Sequence, residues 1–192
     1  QQIQIANAAV YEAAQTQPQC AGMGTTIVST LFFDNRLLIA HIGDSRCYRL
    51  RGEEFICLTR DHSLLQEQID LGLVSQEEAR FADYKNLVTR ALGIEEEAEP
   101  DFTEYTVEPG DLFLLCSDGL NDMVEDQEIA DILGSLRINL SVAAQQLVQS
   151  ACDHGGRDNV SVILIHVKEP FPAVQGWFPW LFSWFGNGRS ES

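Results

Sequence analysis

Apolar positions recur at helical spacing in some stretches of the chain and gather into β-branched runs in others. Over residues 3–15 (IQIANAAVYEAAQ), Ile5, Ala8, Ala9 and Ala13 keep helical spacing until Pro18 and Gly22 end the pattern. From Thr25 the sequence becomes β-branched and apolar (TTIVSTLFF), breaks at Asp34-Asn35-Arg36 and resumes as LLIAHI up to Gly43, which predicts a hairpin. A third strand, CYRL, follows the turn Gly43-Asp44-Ser45-Arg46, and Arg51-Gly52-Glu53 leads into a fourth, FICLT.

Residues 60–92 change character. Leu64, Leu65, Ile69, Leu71 and Leu73 sit in a polar background, and Ser75-Gln76-Glu77-Glu78 resembles a capping box opening a short helix, so a helical insertion between strands is predicted. An acidic connection (Glu95, Glu96, Glu97, Glu99, Asp101) then precedes two strands, FTEYTV and DLFLLC, joined at Pro109-Gly110. Residues 129–133 and 143–151 have helical apolar spacing, and NVSVILIHV alternates into a last strand. No internal repeat is visible.

A chain of 192 residues with 45% hydrophobic and 21% charged residues fits one folded domain with a sizeable core. Twelve basic against 29 acidic residues, a formal charge of −17, repel phosphate backbones and anionic lipid and attract divalent cations, so no nucleic acid partner is expected. The five cysteines, Cys20, Cys47, Cys57, Cys116 and Cys152, are odd in number and form no C-x-x-C pair. They read as buried apolar side chains in a reducing cytoplasm. The chain opens on Gln1, shows no signal segment and holds no apolar run near the ~20 residues that span a bilayer, as expected of a truncated rather than a secreted chain.

Three aspartates stand at the ends of apolar strands on glycine-bearing turns: Asp44 in IAHIGDSR, Asp118 in LFLLCSDGL and Asp158 in GGRDNVSV. A strand end delivers each carboxylate, and Gly43, Gly119 or Gly156 lets backbone or ligand approach. Taken singly, each also fits a turn aspartate bonded to its own backbone. Taken together, carboxylates without Cys or imidazole at zinc spacing suit a hard cation such as magnesium or manganese, and zinc is disfavoured. Nucleophilic alternatives are weaker. His41, His62, His154 and His166 offer bases, but Ser45 and Ser117 lie in no G-x-S-x-G elbow, and no phosphate-binding G-x-x-x-x-G-K-[ST] occurs.

The phrases AGMGTT (21–26), HIGDSR (41–46), LTRDHS (58–63), VTRALG (88–93), CSDGL (116–120) and GRDNVSVI (156–163) occur in the order found in the bacterial branch of the PPM (type 2C) serine/threonine protein phosphatases, which residues 1–167 resemble. The resemblance implies an α+β, four-layer αββα sandwich, incomplete at its N-terminus, with a phosphatase domain over residues 1–168 and an aromatic tail over 169–192. It further implies hydrolysis of phosphoserine and phosphothreonine in proteins through a binuclear Mn2+ or Mg2+ centre and metal-bound hydroxide. By position, Asp118 and Asp158 match ligands of the second catalytic metal and Asp44 a ligand of a third, weaker one. The stretch from Ser63 to Arg90 corresponds to the flap that borders the cleft and influences substrate choice.

Family members also carry an upstream acidic motif and a D-G-x-x-G motif whose Asp bridges the two metals, and neither occurs in these 192 residues. The chain alone is therefore expected to bind metal poorly and to be inactive. The competing reading is a catalytically dead phosphatase-fold module that holds a partner. The implied partners are phosphorylated protein substrates of a serine/threonine kinase, in the cytoplasm. The tail WFPWLFSWF holds all three tryptophans, Trp177, Trp180 and Trp184, and its nine residues are too few to span a bilayer. It is expected to lie peripherally on the inner membrane face, to dock on a partner protein or to fold back on its own domain.

Overall fold

The computed structural model describes residues 1–79, 82 and 87–172. The tail tryptophans Trp177, Trp180 and Trp184 lie outside the described residues, as does part of the insertion between Ser63 and Arg90. Helix α1 (Gln2–Thr16) opens the chain and a single 3₁₀ turn (Pro18–Cys20) follows it. Strands β1 (Ile27–Phe33) and β2 (Arg36–Ile42) form the expected hairpin. Its two-residue turn is Asp34-Asn35, with φ of 46° and 55°, the left-handed pair that a type I′ turn requires and that Asn and Asp tolerate best. Strands β3 (Arg46–Arg51) and β4 (Glu54–Cys57) make a second hairpin.

The insertion contains α2 (Leu64–Asp70) and α3 (Gln76–Ala79). The capping box at Ser75 forms as expected: Glu78 N–H donates to Ser75 Oγ at 3.2 Å and Ser75 N–H donates to Glu78 Oε2 at 2.9 Å. Leu71 and Leu73, however, are exposed. Strands β5 (Asp101–Thr106) and β6 (Leu112–Cys116), helices α4 (Asp118–Asn121), α5 (Asp126–Ser135) and α6 (Leu140–Asp153), and strand β7 (Val162–His166) complete the described chain.

The strands divide into two antiparallel sheets, β1-β2-β5 and β4-β3-β6-β7. The turn at Gly43-Asp44-Ser45 therefore carries the chain from one sheet to the other, and Pro109-Gly110 does the same between β5 and β6. Alternation along β6 shows how the layers meet. Phe113 and Leu115 face the first sheet and pack with Leu37, Ile39 and Cys47, while Leu112, Leu114 and Cys116 face the helices and pack with Leu120, Ile129, Leu133 and Leu147. A strand covered on both faces reads as a continuous apolar run, as DLFLLC does. Each fully buried Leu or Phe there contributes about 1.5–3 kcal/mol by leaving water. On the first sheet's side, Ile3 of α1 packs with Ile27, Ile42 and Leu92. The α+β architecture of two sheets with helices outside them is the one the resemblance implied.

The expectation of buried cysteines holds for Cys47 and Cys116 and fails for the others. Cys57 closes the edge strand β4 and Cys152 lies in the last turn of α6, both exposed, and Cys20 is half-buried. All five are free thiols. Among the described residues no helix is long and apolar enough to cross a membrane. Packing of the sandwich continues to Phe171, whose ring meets that of Phe32 edge-on at 6.2 Å.

Candidate metal centre and cavity

Three strands of the second sheet end in one row, where Arg46 of β3 pairs with Cys116 of β6 and Cys116 pairs with Val162 of β7. Chain direction alternates along that row, so Asp44 before β3, Asp118 after β6 and Asp158 before β7 all leave the sheet at the same end.

Asp44 is buried on its turn. Gly43 there has φ of 104° and a Cβ would overlap the Thr26 side chain, so the turn demands glycine twice over. The hydroxyls of Thr26 and Ser45 bond at 2.8 Å and hold the other side of the turn. Asp118 is the first residue of α4 and half-buried, and its Oδ1 accepts the Gly119 N–H at 2.9 Å. Asp158 is exposed, with Oδ1 accepting the Asn159 N–H at 2.6 Å. Ser117 joins the last two turns: its N–H donates to Ser161 O at 3.1 Å, its Oγ donates to Asn159 O at 3.0 Å and accepts the Ser161 N–H at 3.0 Å.

Asp44 and Asp118 line a cavity of about 520 Å³. Asp61, Asp122, Glu125 and Asp126 add carboxylates to its wall, and Leu65, Ile69, Met123 and Val124 supply apolar surface. Asp158 is not part of the lining. Ser63, Leu65, Gln66, Ile69 and Ala79 come from the stretch between Ser63 and Arg90, so the described part of that stretch borders the cavity. Burial pushes the Asp44 carboxyl up to about 6, helped by repulsion from Asp118 and then from Asp61 and Asp122, against a backbone hydrogen bond that favours the charged form.

The guanidinium groups lining the cavity are committed elsewhere. Arg46 grips Asp61 through Nε at 2.9 Å and Nη2 at 2.7 Å and donates to the Tyr48 hydroxyl at 3.0 Å, while Arg60 pairs with Asp70. Asp44 and Asp118 therefore line the same cavity as oxygen donors, and among the described residues neither carboxylate forms an ion pair, a set suited to a hard divalent ion. The Arg46–Asp61 clamp escaped notice in the sequence, although GDSR and TRDHS each place an acid beside a base.

A second group of titratable residues lies behind the Asp44 turn. Ligand-capable atoms of His41, His62 and Asp101 fall within 4.8 Å of one another. His41 and His62 are buried and their rings stack at 4.7 Å. His41 Nε2 lies 2.9 Å from Arg60 O, and its Nδ1 has no partner among the described residues. The Arg90 guanidinium stands among them, 3.0 Å from both His62 Nε2 and Asp101 Oδ1, where a cation would otherwise sit. Burial lowers the basicity of His62, with Asp101 opposing and Arg90 and His41 reinforcing the shift.

Residues 2–160 match the family described as protein phosphatase 2C. The chain belongs to the protein phosphatase 2C family. It is 40% identical over 167 residues to protein phosphatase PhpP of Streptococcus pneumoniae, an alignment covering 87% of this chain and 67% of that protein. The crystal structure of the Mycobacterium tuberculosis serine/threonine phosphatase PstP/Ppp superposes with a TM-score of 0.79 at 38% identity, over 85% of this chain and 68% of that one. The catalytic domain of serine threonine protein phosphatase PstP in complex with 2 manganese ions superposes with a TM-score of 0.75 at 39% identity, over 85% and 67%. This protein phosphatase 2C chain thus spans about two thirds of the length of the relatives it matches.

Proposed function

We propose that the protein carrying this chain hydrolyses phosphoserine and phosphothreonine in proteins with the help of Mn2+ or Mg2+. The observation that supports this most is the convergence of the Asp44, Asp118 and Asp158 turns at one sheet end beside an acidic cavity. A carboxylate raised to about 6 by burial, and further by Asp118, is relieved when a divalent cation arrives, so the donor set fits such an ion. Asp118 and Asp158 would hold a catalytic ion and Asp44 a weaker, additional one. Bound divalent ions supply an activated water and offset charge on the phosphoester oxygens.

The chain's own residues do the positioning. Ser117 locks the Asp118 and Asp158 turns together, Thr26 and Ser45 fix the Asp44 turn, and Arg46 neutralises Asp61 so that one wall carboxylate does not compete for the cation. The apolar surface of Leu65, Ile69, Met123 and Val124 receives the parts of a peptide next to its phosphorylated side chain. The remaining ligands are proposed to come from a D-G-x-x-G segment that these 192 residues do not contain, so the chain by itself is proposed to be inactive.

The test is turnover of p-nitrophenyl phosphate and of a phosphothreonine peptide by a version extended to the length of its relatives. Turnover that needs Mn2+ or Mg2+ and stops in excess chelator is expected. Turnover unchanged by chelator, or supported by Zn2+ alone, defeats the proposal.

A further inference from the structure

We propose that His62 is a positioning residue for the Asp44 turn, tying that carboxylate to both ends of segment 64–88; this rests on the metal-site reading of Asp44. The two polar backbone atoms of Gly43 are both spent on His62. Gly43 N–H donates to His62 Nδ1 at 3.1 Å, and His62 N–H donates to Gly43 O at 2.9 Å. Gly43 immediately precedes Asp44 and holds φ of 104°, a conformation open to glycine, and the two bonds to His62 select it from the others that glycine can adopt.

The imidazole tautomer is set from the other side. A neutral ring has one acceptor nitrogen and one N–H, and Nδ1 accepts from Gly43, so Nε2 carries the proton. Nε2 lies 3.3 Å from Asp101 Oδ2, which accepts it, and 3.0 Å from Arg90 Nη1, a second donor that this tautomer leaves without a bond to the ring. Arg90 holds the same carboxylate at 3.0 Å and keeps it in place. The ring is also clamped flat against His41 and is 7% exposed. These commitments exclude His62 as a metal ligand, because its only lone pair belongs to Gly43.

The backbone of His62 extends the connection. Thr89 N–H donates to His62 O at 2.8 Å and Leu64 N–H donates to Leu87 O at 2.9 Å, so the start and the end of segment 64–88 meet on His62. That segment supplies Leu65, Gln66 and Ile69 to the cavity wall. One side chain therefore fixes where the carboxylate points relative to the wall that faces it.

Two near-isosteric substitutions separate the roles of the ring nitrogens. In His62→Asn the amide oxygen takes the place of Nδ1 and keeps the Gly43 bond; in His62→Gln the amide reaches the place of Nε2, keeping Asp101 and losing Gly43. The readouts, on the protein extended to the length of its relatives, are amide hydrogen exchange across 42–45 and calorimetric titration with Mn2+ alone, with thermal melts showing that both variants fold. His62→Asn is expected to stay within about threefold of wild type in both, and His62→Gln to speed Gly43 exchange and weaken Mn2+ binding by about tenfold, the worth of one buried hydrogen bond. Asp101→Asn, at a half-exposed position that leaves folding intact, lets Nε2 accept and is expected to speed Gly43 exchange by about threefold. Equal shifts in the Asn and Gln variants, or Gly43 exchange unmoved by His62→Gln and Asp101→Asn, overturn the proposal. If the extended wild type binds no Mn2+, the metal-site reading fails, while the exchange readout still decides whether His62 holds Gly43.

Discussion

Gly119 packs against the backbone of Asn159, so closely that a Cβ on Gly119 would overlap the Asn159 carbonyl group and lie 3.5 Å from the carbonyl carbon of Asp158. The turns carrying Asp118 and Asp158 are therefore in contact without an intervening side chain. Gly119→Ala should force them apart, and a displacement of about 1 Å at a catalytic constellation costs about a hundredfold in rate. The expected outcome in the extended, active protein is a kcat loss of that order. A kcat within threefold of wild type would show that the contact does not set the spacing.

Asp44 has a native pKa of about 6 against 3.8 for the ordinary carboxyl, so the folded state holds an extra proton between those values. Stability contributed by this group consequently falls as pH rises from about 4 to about 6, and the penalty is complete above that. Solvent at the cavity mouth screens part of it, leaving about 1–2 kcal/mol. Metal-free Asp44→Asn should therefore resist urea better than wild type at pH 8 by about that amount, with the difference vanishing near pH 4. In the extended protein, Mn2+ should reverse the ranking at pH 8. A variant less stable than wild type in chelator at pH 8 contradicts a penalty for burying the Asp44 charge.

Asp118→Ala or Asp158→Ala should lower metal-dependent turnover of the extended protein by about three orders of magnitude or more, because each is proposed to hold the ion that would activate the nucleophile. Asp44→Ala should impair turnover while leaving the tightest metal in place. Calorimetry with Mn2+ separates the cases: loss of the tightest binding event on removing Asp44 would overturn the assignment of the three aspartates.

Arg51 closes a clamp on a buried carboxylate far from the cavity. Its Nε and Nη2 each bond Asp111 at 2.7 Å, Asp111 Oδ2 also accepts the Glu108 N–H at 2.8 Å, and the Asp111 side chain is 1% exposed. Arg51→Ala strands that charge and should cost about 3 kcal/mol in urea denaturation. Arg51→Lys keeps the charge without the fork and should cost about half as much. Losses below 1 kcal/mol for the Ala variant would mean that water replaces the guanidinium.

Local grammar carried much of the fold into view. Asp34-Asn35 between apolar runs announced the first hairpin, Ser75 with Glu78 announced a helix start, and the unbroken run in β6 announced a strand. Sheet membership was not legible, because consecutive strands β2 and β3 look like neighbours in sequence, while a three-residue turn sends them to opposite sheets. The three aspartates were recognisable from strand ends and adjacent glycines, yet their meeting depends on the Arg46–Cys116–Val162 row, which joins residues 70 and 46 positions apart. His62 was invisible as a partner of Gly43 for the same reason: a single acceptor nitrogen leaves no periodic signature.

The far end of the sandwich holds the last described residues. Phe171 N–H donates to Asn35 Oδ1 at 2.7 Å, and Asn35 sits on the turn where β2 begins. Seven residues of β2, about 23 Å of extended chain, separate that turn from the one bearing Asp44. The molecule is thus polar in the way a lamp on a bracket is polar. The described chain therefore ends at the pole opposite the carboxylates, and a load hung on residue 172 pulls on the first hairpin's turn and not on the turn that carries Asp44.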